Sequence, residues 1–161
     1  MRHFFIARHG AYYINGRLNK VGEKHIAALG QAIKEILNGS SVYIISSTAP
    51  RALDSSQMLA RELKLTGRIE EMPCLWYAAD SQHYDPVGEL DLDHIYKIVD
   101  ERRNNADALI LMAHEELRDA FAAYFSRVEF GKSHCFSSIE KGQADHFCVS
   151  EESYQLIPKM E

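Results

Sequence analysis

The sequence predicts a three-layer α/β/α domain built on a mostly parallel sheet with an antiparallel edge strand. Three observations carry this reading. Short, continuous apolar runs recur along the chain, as strands covered on both faces require. Amphipathic segments of helical period separate them, as crossover helices between parallel strands do. The last apolar segments alternate instead, as a half-exposed hairpin at a sheet edge would.

Residues 3–7 (HFFIA) read as the first buried strand. Residues 19–37 place Val21, Ile26, Leu29, Ile33, Ile36 and Leu37 near helical spacing, and Asn38-Gly39 supplies a stop. Residues 42–45 (VYII) are β-branched and apolar, a second buried strand. Residues 50–63 read as a helix with Pro50 in its first turn. Residues 68–72 suit a third strand and 91–104 a helix, and 77–90 have no regular pattern and read as a long loop. Residues 109–113 (LILMA) are another core strand. Residues 115–126 form a helix with Leu117, Phe121, Tyr124 and Phe125 on one side. The stretches 144–149 and 154–157 make the terminal hairpin.

The chain has 161 residues, which fits one domain spanning 1–161. Apolar residues make up 46 % and charged residues 25 %, as in ordinary globular domains. A net charge of −5 argues against a nucleic-acid or anionic-membrane partner, because no basic excess is available to neutralise phosphates over a long surface. It leaves room for one small anion held by a few arginines. Apolar runs are far too short to cross a membrane, and the run before Arg8 is too short for a signal-peptide core, so a cytoplasmic location is expected. Cys74, Cys135 and Cys148 are widely spaced and odd in number, which suits reduced thiols. The sequon at Asn38 reads as a helix-ending turn.

In open α/β sheets, ligands bind beyond the carboxyl ends of the strands. The first strand runs straight into Arg8-His9-Gly10. The second runs into Ser46-Ser47-Thr48-Ala49-Pro50-Arg51, which puts Arg51 at a helix start. The last core strand runs into His114-Glu115. Parallel strands deliver all three to one edge, where helix N-termini also favour anions. Each piece alone has a plain structural explanation; their conjunction predicts a phosphate pocket.

These residues resemble the histidine phosphatase superfamily, which includes the cofactor-dependent phosphoglycerate mutases. The matching blocks are Arg8-His9-Gly10 with Asn15 seven residues after the arginine, Ser47 to Arg51-Ala52 with Ser55 beyond, and the apolar strand ending at His114. By size, and by the run Leu75-Trp76-Tyr77-Ala78-Ala79-Asp80, the chain looks most like the small phosphohistidine phosphatases. The resemblance implies a phosphatase with His9 as nucleophile and with Arg8, Arg51 and His114 holding the phosphoryl oxygens. It also implies that Asn15 and Arg17 contact phosphate or substrate and that Gly10 lets the backbone approach the ligand. Substrates would be a phosphorylated small molecule or a phosphohistidine protein, and no cofactor is expected.

The general acid is less plain. Asp80 and Asp85 lie in the unpatterned loop without a motif match, and Glu115 stands where many relatives have glycine. Glu115 is either the proton donor, as in the acid-phosphatase and phytase branch, or a negative residue suited to a helix start. Two other readings stay open: a phosphate-binding protein with weak turnover, and a small mutase.

Other signals carry less. Gly131-Lys132-Ser133 lacks the earlier glycine of a P-loop, and His114 to Arg118 lacks the second histidine of a zinc helix. The other histidines show no metal-ligand spacing, although His83 could line the site. Arg118 reads as a helix-surface residue. Tyr12 and Tyr13 read either as a substrate wall or as turn aromatics beside the core.

Overall fold

The computed structural model describes residues 1–67, 69–76, 90–133 and 136–158. Asp80, Asp85, His83 and Cys135 lie outside the described residues.

A six-stranded sheet has the order β3-β2-β4-β1-β5-β6. Its strands are β1 (His3–Arg8), β2 (Val42–Ser47), β3 (Glu70–Met72), β4 (Ala108–Ala113), β5 (Ala144–Cys148) and β6 (Ser153–Ile157). β1, β2, β3 and β4 run parallel; β5 pairs antiparallel with β1 and with β6. The expected edge strand is therefore an edge pair, the hairpin that the alternating tail encodes.

Helices α1 (Lys20–Leu37), α2 (Pro50–Glu62), α3 (Leu92–Glu101) and α4 (Glu115–Phe130) cover the sheet. Each boundary has a chemical cause. Asn19 caps α1 by accepting the Gly22 N–H, and Asn38 ends it in the left-handed conformation at φ 43°. Asp91 caps α3 by accepting the His94 N–H. α4 runs one turn past the expected residue 126, because Phe130 continues the buried face onto Phe125 and Phe147, and Gly131 at φ 63° ends it.

Alternation along the central strands splits the core into two layers. Phe5, Ala7, Ile44, Ile110 and Met112 face Ile26, Leu29 and Ile33 of α1 and Leu59 of α2. Phe4, Ile6, Ile45, Leu109 and Leu111 face Ile95 and Val99 of α3 and Phe121 and Phe125 of α4.

One sequence expectation is reversed here. Arg118 is 0 % exposed, not a surface residue. Its guanidinium forms a two-pronged pair with Asp145 of β5 and donates to the Ser137 carbonyl at 2.6 Å and to Asp119 at 2.8 Å. Tyr154 of β6 donates to the same Asp145 at 2.9 Å. A buried arginine needs this saturation, and the network ties α4 to the edge hairpin.

Register fixes the site. Arg8 stands opposite Ala113, and Ser46 opposite Met112. The residues that follow, His9, His114 and Ser47, therefore emerge side by side at one sheet edge.

Candidate active site

His9 leaves β1 with its ring 4 % exposed. Its Nδ1 lies 2.8 Å from the Gly10 carbonyl, which can only accept, so Nδ1 carries the hydrogen. Its Nε2 then bears the lone pair and accepts from Arg51 Nε at 3.0 Å. Arg51 reaches this point because Pro50 opens α2 directly after β2. The other side of its guanidinium donates to His114 Nδ1 at 3.4 Å. His114 Nε2 is thereby left to donate to Ser47 Oγ at 2.9 Å. The two histidine rings lie 5.1 Å apart.

Both rings are held neutral. Burial pushes His9 down to about 3, with Arg51, Arg8 and Lys141 adding repulsion against its hydrogen-bond to Gly10. Burial is a larger cause than the neighbouring arginines. Burial, then His9, Arg51 and Arg8, push His114 well below its ordinary value.

Arg8 donates from Nη1 to the Ile139 carbonyl at 2.6 Å and from Nη2 to Glu115 at 2.6 Å. Its Nε is buried without a hydrogen-bond partner among the described residues. Arg8, His9, Arg51, His114 and Glu115 thus meet, as expected, around a cavity of about 300 Å³. Tyr12, Glu116 and Lys141 complete its lining. The Tyr12 ring lies 4.9 Å from the Arg51 guanidinium and 4.7 Å from Lys141 Nζ. Tyr12 thus forms part of the cavity wall, whereas Tyr13 is 52 % exposed.

The other expected residues lie differently. Arg17 pairs with Asp54 at 2.7 Å and lines a separate cleft of about 580 Å³ with Leu18, Gln57 and Arg61. That cleft is larger but contains neither histidine. Asn15 accepts the Arg17 N–H at 3.1 Å and so shapes the turn after β1 rather than the cavity. Gly10 is needed for packing: a Cβ there would stand 2.7 Å from the Gly22 carbonyl and 2.8 Å from Leu18 Cδ1. This close contact with α1 is a reason for glycine here beside the expected approach to a ligand. Its N–H donates to Ser55 Oγ at 3.0 Å, and Ser55 donates to the Arg51 carbonyl at 2.7 Å, which couples the first and second blocks.

Lys141 and Ser47's role as partner of His114 escaped the sequence reading. Lys141 sits in no motif. The N–H of Gly142 contacts the Arg8 and His9 carbonyls, both at 3.1 Å, and holds Lys141 beside the strand end. Gly142 has φ +81°, and a Cβ on it would strike His25 at 2.4 Å. Among the described residues no group of three His, Cys, Asp or Glu is arranged to hold a metal ion, and no helix is long and apolar enough to cross a membrane.

No family profile and no curated protein sequence matches the chain. Solved structures do. The protein histidine phosphatase SixA complexed with tungstate superposes with a TM-score of 0.70 at 14 % identity, covering 99 % of this chain and 96 % of that one. A mycobacterial glucosyl-3-phosphoglycerate phosphatase complexed with VO3 gives 0.66 at 14 % identity, with 97 % of each chain covered. A SixA-type chain from Agrobacterium tumefaciens gives 0.65 at 12 %, covering 99 % and 97 %. With the same sheet and helices over nearly its whole length, the chain has the phosphoglycerate-mutase-like fold of the histidine phosphatases.

Proposed function

We propose that the protein is a phosphatase that works through a phosphohistidine on His9. The observation that carries this is the state of His9: neutral, buried, Nδ1–H fixed on the Gly10 carbonyl and Nε2 aimed at a cavity lined by Arg8, Arg51 and Lys141. In the free protein the Nε2 lone pair is engaged by Arg51 Nε. A phosphoryl oxygen takes over that donor, and the lone pair is freed to attack phosphorus.

The Nε2–P bond forms as the bond to the leaving group breaks. The leaving group departs with the electron pair and takes a proton. The phosphorylated ring keeps its Nδ1–H and carries positive charge, which the Gly10 carbonyl stabilises. Arg8 and Arg51 offset the charge on the phosphoryl oxygens, with neutral His114 as a further donor once its ring tautomer adapts. Water then cleaves the N–P bond, releasing inorganic phosphate and restoring His9. Splitting the hydrolysis lowers each barrier.

Glu115 lines the cavity as a carboxylate that could act as proton donor, and it is ion-paired to Arg8. An acid engaged in this way favours substrates with good leaving groups, such as a phosphohistidine whose imidazole can already carry its proton. The same observation supports a second reading, a phosphate-binding protein with weak turnover. Hydrolysis of an activated aryl phosphate, abolished in His9→Ala with tungstate binding retained, is the expected result. Tungstate binding without any hydrolysis would favour the second reading. Unchanged turnover in His9→Ala would refute the first.

A further inference from the structure

Arg8 is the arginine closest in sequence to the nucleophile, and both terminal nitrogens of its guanidinium already have a partner. Nη1 is committed to the Ile139 carbonyl at 2.6 Å. Nη2 is committed to Glu115 Oε2 at 2.6 Å, and both residues line the cavity. Each of these nitrogens keeps a second N–H, and Nε is buried and unpartnered among the described residues. The Glu115 side chain is 37 % exposed, so it sits on the rim and can turn outward. A carboxylate on an arginine has the charge and planar oxygen spacing of one edge of a phosphoryl group.

We propose that Glu115 is a tethered competitor for Arg8, with which an incoming phosphoryl group must contend, and that it thereby selects for ligands of high negative charge. The inference rests on the phosphate reading of the cavity. It adds a ligand-discriminating role for a residue that, by its position alone, reads as a proton donor or a helix-start acid.

The physics follows from charge balance. With Glu115 in place, the cavity holds the cations Arg8, Arg51 and Lys141 against the carboxylates Glu115 and Glu116. A monoanion offers Arg8 no more than Glu115 already does, and it lacks the advantage of being tethered. A dianionic oxyanion interacts with Arg8 and Arg51 together and can win the exchange. The displaced carboxylate then stands beside the bound anion and beside Glu116, without its guanidinium.

The test is calorimetric titration of sodium tungstate into wild type, Glu115→Gln and Glu116→Gln, each checked for an unchanged thermal midpoint. Glutamine keeps the shape of residue 115 but removes the competing charge. Glu115→Gln should bind tungstate roughly tenfold tighter, the scale of a charge-assisted contact. Glu116→Gln, which removes the same charge without freeing Arg8, should tighten binding by less than about twofold. Equal affinity in wild type and Glu115→Gln would overturn the competition while leaving the phosphate site standing. Equal gains in both variants would also overturn it, because a general field rather than competition at Arg8 would then be responsible. No tungstate binding in any of the three would overturn the phosphate reading, and this inference with it.

Discussion

Acidification should unfold this protein through His9, and the size of the effect can be worked from the site. The ring is held neutral in the fold, down to about 3, because it is buried and faces Arg51, Arg8 and Lys141. In the unfolded chain it titrates near 6.5. Between these values the unfolded chain binds a proton that the folded chain refuses. Stability therefore falls as pH falls from 6.5 toward 3. At 1.36 kcal/mol per pH unit, the loss from this one group between pH 7 and pH 4.5 is about 3 kcal/mol. Urea unfolding of wild type and His9→Gln at the two pH values reports it, together with the part of the His114 shift that His9 causes. Wild type should lose about 3 kcal/mol more than the variant. If His9→Gln loses as much as wild type, the ring is not held neutral by the fold, and the account of its lone pair fails.

Further outcomes follow from other parts of the molecule. Glu115→Gln should slow hydrolysis of alkyl phosphates by about 10²-fold or more while barely affecting an activated aryl phosphate; equal small effects on both would make Glu115 no proton donor. Lys141→Met should raise KM for an aryl phosphate by roughly fivefold with kcat little changed, and Lys141→Arg should restore it; an unaltered KM in Lys141→Met would remove Lys141 from the site. Asp145→Asn leaves Arg118 buried with its charge unbalanced and should cost about 3–5 kcal/mol in denaturant unfolding; a loss below about 1 kcal/mol would mean the network is not stabilising. Activity should survive chelators, because the proposed nucleophile is a ring nitrogen; loss in EDTA that one divalent ion restores would overturn the mechanism.

What the sequence reveals here depends on how local the cause is. β1, β2 and β4 are legible because strands covered on both faces must be apolar throughout, and the residues after them mark the site edge. Arg8, His9, Arg51, His114 and Glu115 were found because each directly follows such a strand or opens the helix beyond it. Arg118 was misread because its partners, Asp145 and Tyr154, lie on strands far along the chain. Nothing in the helical pattern around Arg118 signals them. Lys141 was missed for a similar reason: its position depends on Gly142 reaching the Arg8 and His9 carbonyls, a tertiary contact with no local signature. The crowding of Gly10 against Gly22 across the loop is likewise a tertiary contact that the sequence does not signal. Asn15 matches the family spacing, yet around the turn at Gly16 it accepts from the Arg17 N–H, and the Arg17 side chain pairs with Asp54.

The central claim is that His9 Nε2 takes the phosphoryl group. The most direct measurement is to quench a reaction with phosphorus-labelled aryl phosphate within one turnover and locate the label on the denatured chain. The account predicts one labelled site, at His9, stable in alkali and lost in acid, and absent from His9→Ala. Label on another residue, or label that survives acid and persists in His9→Ala, would contradict it.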